Sequence, residues 1–133
     1  MNQNKQLIAE AFDSWAAGTG GPFTLLADDA RWTITGNSVA AGTYTSRQDF
    51  LDKVIGPFNA RMQTPLVPVV RALYGDGETV VALFDASATV RDGQPYRNTY
   101  AWFMTFRGGV IVDVVAFFDG IEFDDFWSRV EPA

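Results

Sequence analysis

Two apolar periods divide this chain. In the first third, Leu7, Ile8, Ala11, Phe12 and Trp15 recur three or four residues apart and Gly18 follows. That spacing lines one face of a helix and predicts one over residues 3–17, closed by the glycine. "GGPFTLLADD" predicts a short second helix with Pro22 in its first turn. "RWTIT" alternates and predicts a short strand with Trp32 and Ile34 on one face. "GTYTSRQDF" then passes through a turn into a third helix. There Ser46 and Asp49 form a capping pair, Phe50, Val54 and Phe58 share a face, and Pro57 kinks or ends the element.

After residue 65 the period becomes two. "GDGE" (75–78), "RDGQ" (91–94) and "RGGV" (107–110) are turn signals 16 residues apart. Asp-Gly and Gly-Gly suit tight hairpin loops because those turns need positive φ. The intervening runs predict strands over 66–74, 79–91, 95–106 and 110–118, a four-strand antiparallel meander. The tail "IEFDDFWSRV" returns to helical spacing through Phe123, Phe126, Trp127 and Val130. Helices first and a meander afterwards make an α+β fold.

Two-residue loops at Asp92-Gly93 and Gly108-Gly109 would fix the register of this meander. They place Ser87 and Asp119 beside Asn98, Asp85 and Phe117 beside Tyr100, and Leu83 and Val115 beside Trp102. One mixed face then carries an aromatic wall with an amide and two carboxylates. The other face would carry Ala82, Phe84, Ala86, Ala101, Phe103, Val114, Ala116 and Phe118, with no charge at its centre. A sheet with two apolar faces needs two covers. The helices supply one; a second copy of the chain, in a homodimer through the outer face, is expected to supply the other.

Composition narrows the chemistry. The 133 residues suit one domain spanning 1–133, and 47% hydrophobic residues can form a core without staples. The chain has no Cys and no His. Thiolate nucleophiles, Ser–His–Asp triads, disulfides and ordinary zinc sites are thereby excluded, and acid–base work falls to Asp, Glu, Tyr or Lys. A net charge of −6 disfavours a nucleic-acid partner. No apolar run approaches the ~20 residues of a membrane span. "MNQNKQLIAEAF" lacks the basic-then-apolar order of a signal peptide, so a cytoplasmic location is expected. No metal or cofactor is called for.

The order of elements, "ADDARWTITG", "GTYTSRQDF" and "DGQPYRNTYAWFMTFRGGVIVDVVAFFDG" together resemble the SnoaL-like polyketide cyclase branch of the nuclear transport factor 2-like (ketosteroid isomerase-like) superfamily. The resemblance covers essentially the whole chain. It implies a cone-shaped α+β barrel: N-terminal helices on a strongly curved, mainly antiparallel sheet, a short C-terminal helix and an apolar cavity inside. Members of that superfamily are enzymes, non-catalytic subunits and transport adaptors, so fold alone does not select a function. The ketosteroid isomerases place a carboxylate base where this sequence has Ile34 between Thr33 and Thr35. They also hold a protonated Asp on a later strand, whereas residues 95–107 contain no carboxylate here. The limonene epoxide hydrolases use two carboxylates and an Arg. Asp119 resembles one of those acids, Asn98 stands near the other's place, and Arg97 points to the opposite face. The cyclases, which can work with one pocket Asp as base, are the better match.

The candidate catalytic residues are accordingly Asp119, Asn98 and Asp85. Asp119 either abstracts a proton next to a carbonyl or, through Asp119-Gly-Ile-Glu122, caps the last helix. Asn98 either orients a substrate carbonyl or Asp119, or satisfies a neighbour. Asp85 is a pocket acid or a hydrogen-bonded core carboxylate. Tyr44, Tyr96 and Tyr100 could donate to a developing oxyanion, or pack. Trp15, Trp32, Tyr44, Phe58, Tyr100, Trp102 and Phe117 are the candidate substrate-binding wall, with ordinary core as the alternative. The expected ligand is a small apolar or aromatic molecule containing a carbonyl. The leading expectation is a cofactor-independent lyase, cyclase or isomerase; the rival is a non-catalytic binding or assembly module.

Overall fold

The computed structural model describes residues 2–132. Helix α1 runs Gln3–Ala17, and it begins where the Asn2 side chain accepts from the Lys5 N–H. It ends at Gly18, whose φ of 76° is the left-handed conformation that a glycine adopts without steric cost. Ile8 and Phe12 are its buried stripe. A single 3₁₀ turn, Pro22–Leu25, follows. Strand β1, Leu26–Ile34, is longer than the "RWTIT" core suggested, because the chain is already extended through the exposed Asp28 and Asp29. A short strand β2, Gly42–Tyr44, occupies the expected turn.

The third helical segment is capped as expected, with Ser46 Oγ accepting from the Asp49 N–H at 3.0 Å. It comprises α2 (Arg47–Phe50), a π turn (Leu51–Ile55) and α3 (Gly56–Asn59). Pro57 explains the π turn. Its ring would crowd the Lys53 carbonyl and it has no N–H to donate there, so the helix widens just before it instead of stopping.

Strands β3 (Val67–Asp76), β4 (Thr79–Thr89), β5 (Pro95–Arg107) and β6 (Val110–Phe118) form the meander, and α4 (Gly120–Arg129) closes the chain. The six strands lie in the order β2-β1-β6-β5-β4-β3. Strand β1 pairs parallel to β6; every other pairing is antiparallel. The sheet curves around the helices, giving a cone-like α+β fold.

The register differs from expectation in two places. Between β4 and β5 the loop has three residues, not two: Val90 donates to the Gln94 carbonyl, and Gly93 takes φ 87°. This is the longer, glycine-bulged hairpin loop, and Asp-Gly is compatible with both kinds. Asn98 therefore faces Ala86, Tyr100 faces Phe84 and Trp102 faces Ala82. Between β5 and β6 the Gly108-Gly109 loop forms as expected and Arg107 pairs with Val110. An extra residue at Val112 then shifts the ladder, so Trp102 meets Ala116 and Tyr100 meets Phe118.

A one-residue slip turns every side chain over. Because β4 and β6 both slip, their faces exchange relative to β5. The inner face carries Ala82, Phe84, Ala86, Val114, Ala116 and Phe118 together with Tyr96, Asn98, Tyr100 and Trp102. Of the set expected outside, only Ala101 and Phe103 lie there. Leu83, Asp85, Ser87, Val115 and Phe117 join them, and Phe117 is 47% exposed. The row Ala82–Trp102–Ala116 shows how the cone is filled: one large indole is flanked by two alanines, so a strongly curved sheet keeps space inside it.

Candidate functional site

The space inside the cone is a cavity of about 520 Å³. Its floor is the inner face of the sheet: Trp32 and Ile34 from β1, Tyr100 and Trp102 from β5, and Ala116 and Phe118 from β6. Helices supply the remaining wall. Trp15 comes from α1, Phe23 from the 3₁₀ turn, Phe50 and Val54 from the kinked segment, Phe58 from α3 and Phe123 from α4. The rings pack in ordered pairs. Trp32 stacks on Phe50 at 4.1 Å and 12°, and Trp15 lies parallel to Trp102 at 5.8 Å and 13°. Such pairs hold the wall in shape beyond what burial alone would do. Gly20, Asn59, Gln63, Thr64 and Pro65 line the cavity where they are also exposed to solvent, and so mark its open end.

No Asp, Glu, Lys or Arg is among the lining residues. Among the described residues, no group of three or more acidic, His or Cys side chains is placed to hold a metal ion. The deep polar groups among the lining residues are the phenol of Tyr100 and the indole N–H groups of Trp32 and Trp102.

Asn98 stands behind that phenol. Its amide pairs with the backbone of Asp119: Oδ1 accepts from the Asp119 N–H at 3.0 Å, and Nδ2 donates to the Asp119 carbonyl at 3.0 Å. The side chain thus extends the β5–β6 ladder by one step where the backbones part. Nδ2 also donates to Tyr96 Oη at 2.8 Å, and Tyr96 Oη lies 2.6 Å from Tyr100 Oη. Burial pushes the Tyr96 phenol up to about 12 and holds that of Tyr100 well above its usual value, so both keep their protons.

The sequence-derived candidates divide between this cavity and a second, more polar cleft of about 650 Å³, which Asp85, Asn98 and Asp119 line together. Trp15, Trp32, Phe58, Tyr100 and Trp102 meet at the cavity. Tyr44 does not: its hydroxyl donates to the Ala40 carbonyl at 2.8 Å and its ring lies behind Phe50. Phe117 points outward because of the Val112 bulge. Asp85 is also on the outer face, accepting from Thr99 at 2.6 Å and from Arg71 at 2.7 Å. Those two partners hold its carboxyl below the usual range, Thr99 foremost. Asp119 caps α4, accepting from the N–H groups of Ile121 and Glu122 at 2.9 and 3.3 Å; it is exposed and outside the apolar lining. Phe118 and Phe123 were missed. Phe118 needed the bulge, and Phe123 carried only a signal of helix burial. Phe50 and Val54 did carry a signal, the face they share with Phe58.

Residues 8–114 match the family model described as a SnoaL-like domain. The chain belongs to the SnoaL-like family. No curated relative matches the sequence. Solved structures share the SnoaL-like fold at low identity. An NTF2-like protein of unknown function from Burkholderia pseudomallei is 19% identical, with a TM-score of 0.78 over 96% of this chain and 99% of that one. A putative SnoaL-like polyketide cyclase from Jannaschia is 16% identical, with a TM-score of 0.72 over 95% and 92%. TerC, co-crystallised with polyporic acid, is 15% identical, with a TM-score of 0.74 over 96% and 99%. Among the described residues, no helix of this SnoaL-like chain is long and apolar enough to cross a membrane.

Proposed function

We propose that this SnoaL-like protein binds a neutral, apolar or aromatic small molecule inside the cone. The observation that carries this reading is the cavity of about 520 Å³, walled by aromatic rings and free of Asp, Glu, Lys and Arg. That volume lies within the range of small-molecule sites. A charged ligand would leave water there without a partner, which is costly. A flat neutral ligand would exchange water for ring faces. TerC, of the same fold, was crystallised with polyporic acid, which is in keeping with a ligand-holding use of the cone.

Proton abstraction next to a carbonyl, the cyclase-like alternative, needs a base within hydrogen-bond reach of the substrate. The resemblance to a putative polyketide cyclase supports it. The apolar lining offers it no carboxylate; Asp85 and Asp119 border the separate polar cleft, where Asp119 caps α4 and Asp85 is held by Thr99 and Arg71, so binding in the cone is the better supported reading.

The test uses the purified protein. Native mass spectrometry should detect a retained apolar molecule. Because Trp15, Trp32 and Trp102 line the cavity, 2-ethylnaphthalene should quench the tryptophan emission saturably. No retained molecule together with no saturable quenching would refute the proposal.

The outer sheet face supports a second reading, a homodimer. Val69, Phe103 and Phe117 are 66%, 40% and 47% exposed there, Phe103 packs edge-on to Phe117 at 5.8 Å, and Asp85, paired with Arg71, lies opposite Val69. A patch with rings and both signs of charge can face its own copy across a two-fold axis.

A further inference from the structure

We infer that Tyr100 is a one-way hydrogen-bond donor into the cavity, and that it selects ligands bearing an acceptor oxygen such as a carbonyl. The inference rests on the binding function proposed above and follows from counting protons along the Asn98–Tyr96–Tyr100 chain.

The orientation of the Asn98 amide is forced. An amide side chain can be turned over without changing its shape, so its orientation must come from its partners. Here the partners are backbone atoms. The Asp119 N–H can only donate and the Asp119 carbonyl can only accept. With 3.0 Å to each, Oδ1 must face the N–H and Nδ2 the carbonyl. Nδ2 is therefore also the atom 2.8 Å from Tyr96 Oη, and Tyr96 accepts there.

Tyr96 still has its own proton. It is 2% exposed and is not among the cavity-lining residues, and the acceptor within reach of its oxygen is Tyr100 Oη at 2.6 Å. Were Tyr100 to donate instead, the Tyr96 proton would be left buried without a partner, the more costly arrangement. Were Tyr96 to donate, the spare proton would be that of Tyr100, which borders the cavity. The second arrangement gives the Tyr96 proton a partner and leaves the free proton on Tyr100, the one of the two that lines the cavity. Both phenols stay protonated well above neutral pH, so the chain keeps its direction. Asn98, through Tyr96, is a positioning residue; Tyr100 is the group that touches ligand.

A matched pair of neutral probes tests this: 2-acetylnaphthalene, which carries a ketone, and 2-ethylnaphthalene, which does not. Both are titrated against the wild type and Tyr100→Phe by tryptophan quenching. Tyr100→Phe should weaken the ketone about 5- to 10-fold, the scale of one hydrogen bond, and leave the hydrocarbon within about twofold. The ketone's carbonyl stretch should shift to lower frequency in the wild type and return towards its hydrocarbon-solvent position in the variant. Equal effects of Tyr100→Phe on the two probes would overturn the donor assignment while leaving the cavity a binding site. A carbonyl band at the hydrocarbon position in the wild type would do the same without any variant. Failure of both probes to bind the wild type would overturn the binding function, and this inference with it.

Discussion

At the scale of single residues, Asn98 is an amide in an aromatic wall, and its role is more structural than a catalytic reading implies. It replaces the hydrogen bonds that β5 and β6 lose where β6 ends, and it fixes the direction of two phenols. Tyr96 carries the measurable consequence. Burial holds its phenol at about 12 against an ordinary 10.0, with the bonds to Tyr100 and Asn98 working in the opposite sense. A folded-state value above the unfolded one means stability that is complete below pH 10 and is lost as pH rises towards about 12. Two units correspond to roughly 3 kcal/mol. Urea unfolding at pH 9 and pH 11.5 should therefore show a steep loss in the wild type and a shallower one in Tyr96→Phe. Equal pH slopes in the two proteins would count against the buried network.

Elements show how much the sequence made legible. Helix α1 ends at Gly18, Ser46 opens the kinked segment and the three glycine turns of the meander lie where patterning placed them. Registers did not follow as readily, since Asp92-Gly93 suits a two-residue or a three-residue loop and Val112 carries no local mark of a bulge. Each ambiguity is one residue wide, yet it moved Asp85 and Phe117 from the inside of the cone to the outside. The same arithmetic assigns Asp119 to α4. In the Asp119-Gly-Ile-Glu122 segment, the Asp119 N–H is taken by Asn98 Oδ1, so a side chain from β5 stands in for the reciprocal half of a capping box. The Asp119 carboxylate accepts from Ile121 and Glu122. Asp119→Ala should thus cost about 1 kcal/mol, some 2–5 °C in melting temperature, with Asp119→Asn nearly neutral. Neither should alter naphthalene binding, because Asn98 holds Asp119 through its backbone. Abolished turnover at an unchanged melting temperature in Asp119→Asn would instead make this carboxylate a base.

At the scale of the molecule, the curved sheet has one face committed to the cavity and one that presents rings to solvent. Val69, Phe103 and Phe117 are more exposed than large apolar side chains on a sheet usually are, and Arg71, Asp85 and Thr99 link their side chains in the row of Val69. An unpaired face of this kind marks an interaction surface. The proposed occupant is a second copy: across a two-fold axis the edge-on Phe103–Phe117 pair would pack on its own image and the mixed charges would meet their opposites. Light scattering after size exclusion should then give about twice the chain mass of 14.6 kDa. Phe103→Asp or Phe117→Asp should return the mass to that of one chain, since each buries a carboxylate opposite its twin. Because both side chains point away from the cavity, the dissociated variants should still quench with 2-ethylnaphthalene. A wild type that remains at the mass of one chain at high micromolar concentration would rule out the dimer and leave the outer face to another partner.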